Sequence, residues 1–213
     1  EQDLFITKSG LEYVFYDGDQ VGHKHPGKNP EADLKARSYD PEEHKTNMIN
    51  MHAVGLEFVD ASSNIQVNPN KKLDVYYNYY IGNDPGKWAD HVGVYQEINY
   101  EDIYPGIHMK IYSEGEHVKY DIKVESQADA EEIKFSYKGA DDIERANNSL
   151  YARTSLNTII ENSPFTYQIY EGDTISIPTL YALNGDTFGF EFPEDYDHTK
   201  SLIIDPLLVF STY

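Results

Sequence analysis

His117-Val118-Lys119-Tyr120-Asp121-Ile122-Lys123-Val124 alternates apolar and polar residues without a slip. Successive side chains of a strand point to opposite faces, so Val118, Tyr120, Ile122 and Val124 make one apolar face. A helix would space its apolar residues three and four apart, which this stretch does not do. The same alternation runs through Ile107–Tyr112, and Ser113-Glu114-Gly115-Glu116 joins the two as a hairpin.

Outward from this hairpin the pattern repeats in both directions. Leu4–Lys8 and Leu11–Tyr16 flank Ser9-Gly10, a tight turn. Ile133–Tyr137, Leu150–Arg153, Thr158–Glu161, Phe165–Tyr170, Thr174–Ile177, Tyr181–Leu183 and Thr187–Phe192 follow, separated by Gly-, Asn-, Asp- and Pro-containing breaks. Short strands at roughly 8–12-residue intervals indicate antiparallel sandwiches or barrels. The 19 Tyr agree, because Tyr and β-branched residues suit a pleated, half-buried surface. Only Pro30–Arg37 and Ser126–Glu132 have a helical cast, and both are short.

The expected fold is all-β and antiparallel β-sandwich-like, with almost no helix, in two packed β-subdomains. The first is 1–125 and carries a long irregular loop at 17–45; the second is 126–213. The boundary falls where Ser126-Gln127-Ala128-Asp129-Ala130 interrupts the strand rhythm. Near the end, Ser201–Ile204 and Leu207–Tyr213 are separated by Asp205-Pro206. Proline has no N–H for a ladder, so Ile203-Ile204 should lie in a buried strand and Leu207–Phe210 in a separate junction strand at an edge.

Charge narrows the partners. Lys plus Arg number 17 against 37 Asp plus Glu, a formal net charge of −20. Such a surface repels phosphate backbones and anionic lipid, which argues against nucleic acid and against the membrane surface. No apolar run reaches transmembrane length, so direct membrane insertion is not expected. Glu1-Gln2-Asp3 is no signal peptide, and a mature or trimmed chain is expected. The absence of Cys removes disulfides and thiol chemistry.

Asn78-Tyr79-Tyr80-Ile81-Gly82-Asn83-Asp84-Pro85-Gly86-Lys87-Trp88 is the most tightly specified turn. Gly82, Asn83 and Gly86 tolerate φ > 0, and Pro85 pushes Asp84 extended. Trp88, the single Trp, is expected to be mostly buried and to seal the turn. The other reading makes Tyr76, Tyr77, Tyr79, Tyr80 and Trp88 a platform for sugars, with Tyr77 and Tyr79 on one face and Tyr76 and Asn78 on the other.

Candidate chemistry is sparse. His23 and His25 project to one side of an extended segment and, with His44, could ligate Zn or Ni. The Gly22 and Lys24 neighbours favour a solvated loop. Asp17-Gly18-Asp19, Asp141-Asp142 with Glu144, and Glu194-Asp195-Tyr196-Asp197 offer oxygens to a structural Ca²⁺, with no basis for choosing among them. No Gly-x-Ser-x-Gly elbow, phosphate-binding loop, His-Glu-x-x-His or Cys nucleophile occurs. No catalytic, cofactor-binding or metal residue is therefore assigned, and the chain is read as a non-enzyme in which nucleophile, base and orienting group do not converge in a cleft.

Five segments in order, namely Asn78–Val92, Tyr104–Val124, Lys134–Ile143, Glu161–Gln168 and Leu202–Tyr213, resemble an uncharacterised β-rich domain of large Bacteroidota surface proteins. In those proteins the domain usually precedes SBBP-type β-propeller repeats, PKD or Ig-like modules and a gliding-motility-type or type 9 sorting domain. The resemblance covers Leu4 to Tyr213 and implies no catalytic residues. Relatives carry an upstream strand and an Asn/Gln-rich opening that this chain lacks, which implies trimming at its start. It also implies a secreted or cell-surface location, on the outer face of a Gram-negative outer membrane, with other domains of the same protein as partners. The expected role is a structural or adhesive module. The alternatives are a glycan-binding module using the Tyr/Trp platform, or an accessory domain of a secreted glycan- or peptide-degrading enzyme.

Overall fold

The computed structural model describes residues 2–17, 49–114 and 117–212. Seventeen strands and two single 3-10 turns account for the regular structure of these residues, and none of them is in an α-helix. They are β1 (Gln2–Thr7), β2 (Gly10–Tyr16), β3 (Met51–Phe58), β4 (Gln66–Tyr79), β5 (Ala89–Tyr104), β6 (Ile107–Glu114), β7 (His117–Val124), β8 (Phe135–Lys138) and β9 (Asp142–Ala146). There follow β10 (Ser149–Arg153), β11 (Asn157–Glu161), β12 (Phe165–Tyr170), β13 (Asp173–Ser176), β14 (Leu180–Asn184), β15 (Thr187–Glu191), β16 (Leu202–Asp205) and β17 (Leu208–Thr212).

Three sheets form, with every neighbouring pair antiparallel. Their orders are β1-β2-β3-β8-β15-β14, β17-β11-β10-β9 and β13-β12-β16-β7-β6-β5-β4. The all-β, sandwich-like expectation holds. Both large sheets draw strands from either side of residue 125: β3 pairs with β8, and β7 with β16. The boundary drawn at 125 and 126 thus falls between strands that share sheets, and one apolar core joins all three sheets. Periodicity marks where strands are, but it carries no record of which strands pair.

The hairpin that led the sequence reading is present as β6–β7, with Tyr120, Ile122 and Val124 buried. β3, β5 and β9 lie outside the strands read from sequence. Of Ser126–Glu132 only Ala130–Glu132 is helical, as a single 3-10 turn capped by Asp129, whose carboxylate accepts the Glu131 N–H at 2.9 Å. Pro30–Arg37 and nearly all of 17–45 lie outside the described residues. Asp205-Pro206 divides two strands as expected: β16 is central in one sheet, and β17 is the edge of another.

Tyrosine fills the core rather than only coating it. Tyr100 donates its hydroxyl to the carbonyls of Thr7 (2.5 Å) and Gly10 (2.6 Å), closing the β1–β2 turn from across the core. Tyr104 donates to the Val59 and Lys134 carbonyls, and burial pushes its hydroxyl up to about 12. The most concentrated polar site is Glu161, fully buried on β11. Tyr120 of β7 donates to it at 2.8 Å, Tyr181 of β14 at 3.0 Å, and Tyr137 of β8 meets its second oxygen. One carboxylate therefore links all three sheets. Burial raises its pKa above the ordinary carboxylate range, and the three hydroxyls oppose that shift.

Candidate functional site

β4 and β5 outrun the sheet they belong to. β5 pairs with β6 only from Glu97 onward, whereas β4 and β5 stay paired with each other through Lys72–Tyr95, Tyr76–Gly93, Tyr77–Val92 and Tyr79–Ala89. Beyond Glu97 the two strands form a free ribbon, an arm of residues 70–96. Leu73, Val75, Tyr76, Tyr77, Tyr79, Tyr80, Ile81, Trp88, Val92 and Tyr95 on this arm are all exposed, up to 77 % for Ile81 at the tip. None of them belongs to the core or packs against it. Ten large apolar residues on one projection form the kind of patch that marks an interaction site.

The tip is built as rigidly as its sequence suggests. Asp84 is extended (φ −104°, ψ 104°) and its carboxylate accepts the Gly86 N–H at 3.0 Å. Pro85–Lys87 make one 3-10 turn, and Gly82 takes φ +75°. Asn83 and Gly86 stay at negative φ, so one residue of positive φ is enough. Trp88 donates its indole N–H to the Gly82 carbonyl at 3.2 Å and meets Tyr80 edge to face at 5.5 Å. Asn78 accepts the His91 N–H at 2.8 Å, and the His91 ring stacks on Tyr76 at 4.4 Å. Held this way, the rings lose little freedom when a partner arrives.

Trp88 corrects the sequence reading. It is 43 % exposed, because the arm has no body beneath it to bury the ring. The turn signals were read correctly, but how far an arm projects depends on where the neighbouring strand stops. Trp88→Ala should accordingly change stability by no more than about 1 kcal/mol, the usual range for surface positions. Urea unfolding checks this, and a loss of several kcal/mol would return Trp88 to a sealing role.

The other sequence candidates separate cleanly. His23, His25, His44, Gly18 and Asp19 lie outside the described residues. Asp142 and Glu144 are both held by Arg153 at 2.6 Å, which takes one oxygen of each and supplies the positive charge a cation would bring. Glu194 and Asp195 line an open groove of about 540 Å³ with Asp129, Glu131, Tyr196 and His198. Asp195 accepts the Tyr196 N–H, and Asp197 accepts both the N–H and the hydroxyl of Thr199, so two of these carboxylates serve their own loop. Among the described residues no group of three or more His, Asp or Glu is arranged to hold a metal.

One trio brings a hydroxyl, an imidazole and an orienting carbonyl within hydrogen-bond reach, at an exposed position. Ser155 Oγ lies 2.8 Å from His52 Nδ1, and His52 Nε2 lies 2.7 Å from the Gly139 carbonyl. The ring nitrogen that faces the hydroxyl also accepts the Ser155 backbone N–H at 3.2 Å. The same imidazole thus ties β3 to the β10–β11 turn and to the residue after β8. The sequence held no hint of it, because His52 and Ser155 are 103 residues apart.

No helix among the described residues is long and apolar enough to cross a membrane. Comparison with curated proteins gave no match, and comparison with solved structures gave none. Residues 1–207 match a family described as a domain of unknown function, DUF7948. That match covers both large sheets through the Asp205-Pro206 step, and the chain belongs to the DUF7948 family.

Proposed function

We propose that this chain is a non-catalytic adhesive module of a large exported cell-surface protein, and that the β4–β5 arm is its contact element. The observation that carries the reading is the arm itself: ten exposed large apolar residues on a ribbon that adds nothing to the core. The resemblance to Bacteroidota surface proteins supports the location, on the outer face of a Gram-negative outer membrane, with other domains of the same protein as neighbours. The acidic balance of −20 supports a soluble, non-nucleic-acid-binding surface. A second reading, a glycan platform, is favoured by the exposed Trp88 ring beside Tyr80. Leu73, Val75, Ile81 and Val92 weigh toward a protein partner, since aliphatic side chains give a sugar ring no stacking face.

The test uses an arm-trimmed chain in which Leu73–Val94 is replaced by Asn-Gly, a two-residue turn suited to rejoining the paired residues Lys72 and Tyr95. Trimmed and full chains should melt at the same temperature. Beads coated with the full chain should adhere to cells displaying the parent protein, and beads coated with the trimmed chain should not. Equal adhesion by both would overturn the reading. Hydrolysis of a glycan, ester or peptide that is lost in Ser155→Ala would overturn its non-catalytic part.

A further inference from the structure

The arm differs from the body in charge as well as in polarity. Residues 70–96 hold three Lys (71, 72, 87) and three Asp (74, 84, 90), a net of zero inside a chain of −20. The whole imbalance of 37 acidic against 17 basic residues therefore lies elsewhere. Two bodies repel one another; two arms do not.

Reach makes that difference effective. From Lys72 to Tyr79 the ribbon extends about 25 Å at the rise of a strand. The screening length in physiological salt is about 8 Å, so charges on the bodies are weak at the distance of the tip. Area sets the strength. Ten side chains, each roughly half exposed, present on the order of 1,000 Å² over the two faces of the ribbon, so contact through one face takes about half of that, the size of a weak, reversible interface rather than the about 800 Å² per partner of a stable one.

The mode of contact also follows. β4 is the edge strand of its sheet, but Pro69 removes a donor, Lys71 sits at φ 52°, and the register slips between Lys72 and Tyr76 and again between Tyr77 and Tyr79. Such interruptions oppose edge-to-edge strand addition. The ring-bearing faces are left as the contact surface.

We propose that the arm packs face to face against the arm of a second copy of this chain, so that modules join through their arms while the acidic bodies stay apart. This inference rests on the reading of the arm as the contact element, and it names the partner. A two-fold contact of this kind is self-complementary, with each arm offering the same residues to the other.

Sedimentation of the purified full chain over the micromolar range tests it. A concentration-dependent dimer is expected, and added NaCl should tighten it, because salt screens repulsion between bodies and leaves apolar contact intact. A dimer held by ion pairs would weaken instead and would overturn the proposal. Tyr77→Glu, at a residue 61 % exposed and outside the core, should weaken the dimer at least about tenfold without lowering the melting temperature. The arm-trimmed chain should sediment as a monomer. A full chain that is monomeric at all concentrations and salts, or a trimmed chain that still dimerises, would overturn the inference. If the monomeric full chain binds oligosaccharides or adheres to cells through its arm, only the identity of the partner falls, and the arm remains the contact element.

Discussion

Glu161→Ala should cost about 3–5 kcal/mol, a large share of the roughly 5–15 kcal/mol that holds a domain together. The substitution removes the acceptor shared by Tyr120, Tyr137 and Tyr181 and leaves a void where three sheets meet. Tyr181 retains a weaker bond to the Asn162 carbonyl at 3.3 Å, whereas among the described residues Tyr120 and Tyr137 donate to Glu161 alone. Buried donors left without acceptors are the expensive outcome. Glu161→Gln keeps an acceptor oxygen and should cost less. It should also alter the pH profile in a defined direction. The folded state holds the Glu161 proton more tightly than the unfolded chain does, since its pKa is raised by burial. The stability it contributes is therefore fully present below the ordinary glutamate value near pH ~4.3 and is lost as pH rises through the folded value. Urea titrations of both proteins across that range should show the native chain losing stability relative to Glu161→Gln as pH increases. A constant difference would refute the linkage.

Gly10→Ala should be comparably damaging for a backbone reason. Gly10 opens β2 at φ +145°, and a Cβ there would lie 1.9 Å from the Leu56 carbonyl oxygen. That oxygen belongs to β3, which pairs with β2 from Gly10 to Tyr16, so relief requires moving a strand. Tyr100 meanwhile donates to the Gly10 carbonyl and resists the movement. Strain and overpacking together should cost roughly 3–5 kcal/mol. Gly172→Ala is the control: φ is also positive, at +98°, but nothing lies within 4 Å of the added carbon. It should bear only the conformational cost, about 1–3 kcal/mol. Equal losses at the two sites, measured by thermal unfolding, would show that the contact with Leu56 is relieved without consequence.

What the sequence disclosed and what it withheld divide along a physical line. Strands such as Thr187–Glu191 and Phe165–Tyr170 were legible because alternation is local. The break at Asp205-Pro206 was legible because proline forbids a ladder bond wherever it sits. β3 also alternates, with Val54, Leu56 and Phe58 buried, and its pattern was available. Glu161 was not legible, since its three hydroxyl partners arrive from strands paired in two other sheets. For the same reason Trp88 looked like a seal: the turn around it is local, but its exposure depends on β6 ending before the arm does.

The position of β16 has a consequence for timing. Leu202–Asp205 inserts between β7 and β12, so the seven-stranded sheet stays divided until residues 202–205 are available. As the polypeptide leaves a ribosome, β4 to β7 can form a meander early, but its free edge has to wait for β16. Over that interval the alternating face of β7 lacks its final neighbour. The architecture thus suits a domain that is delivered as far as Asp205 before it closes, and a stall shortly before Leu202 would leave an open, association-prone edge.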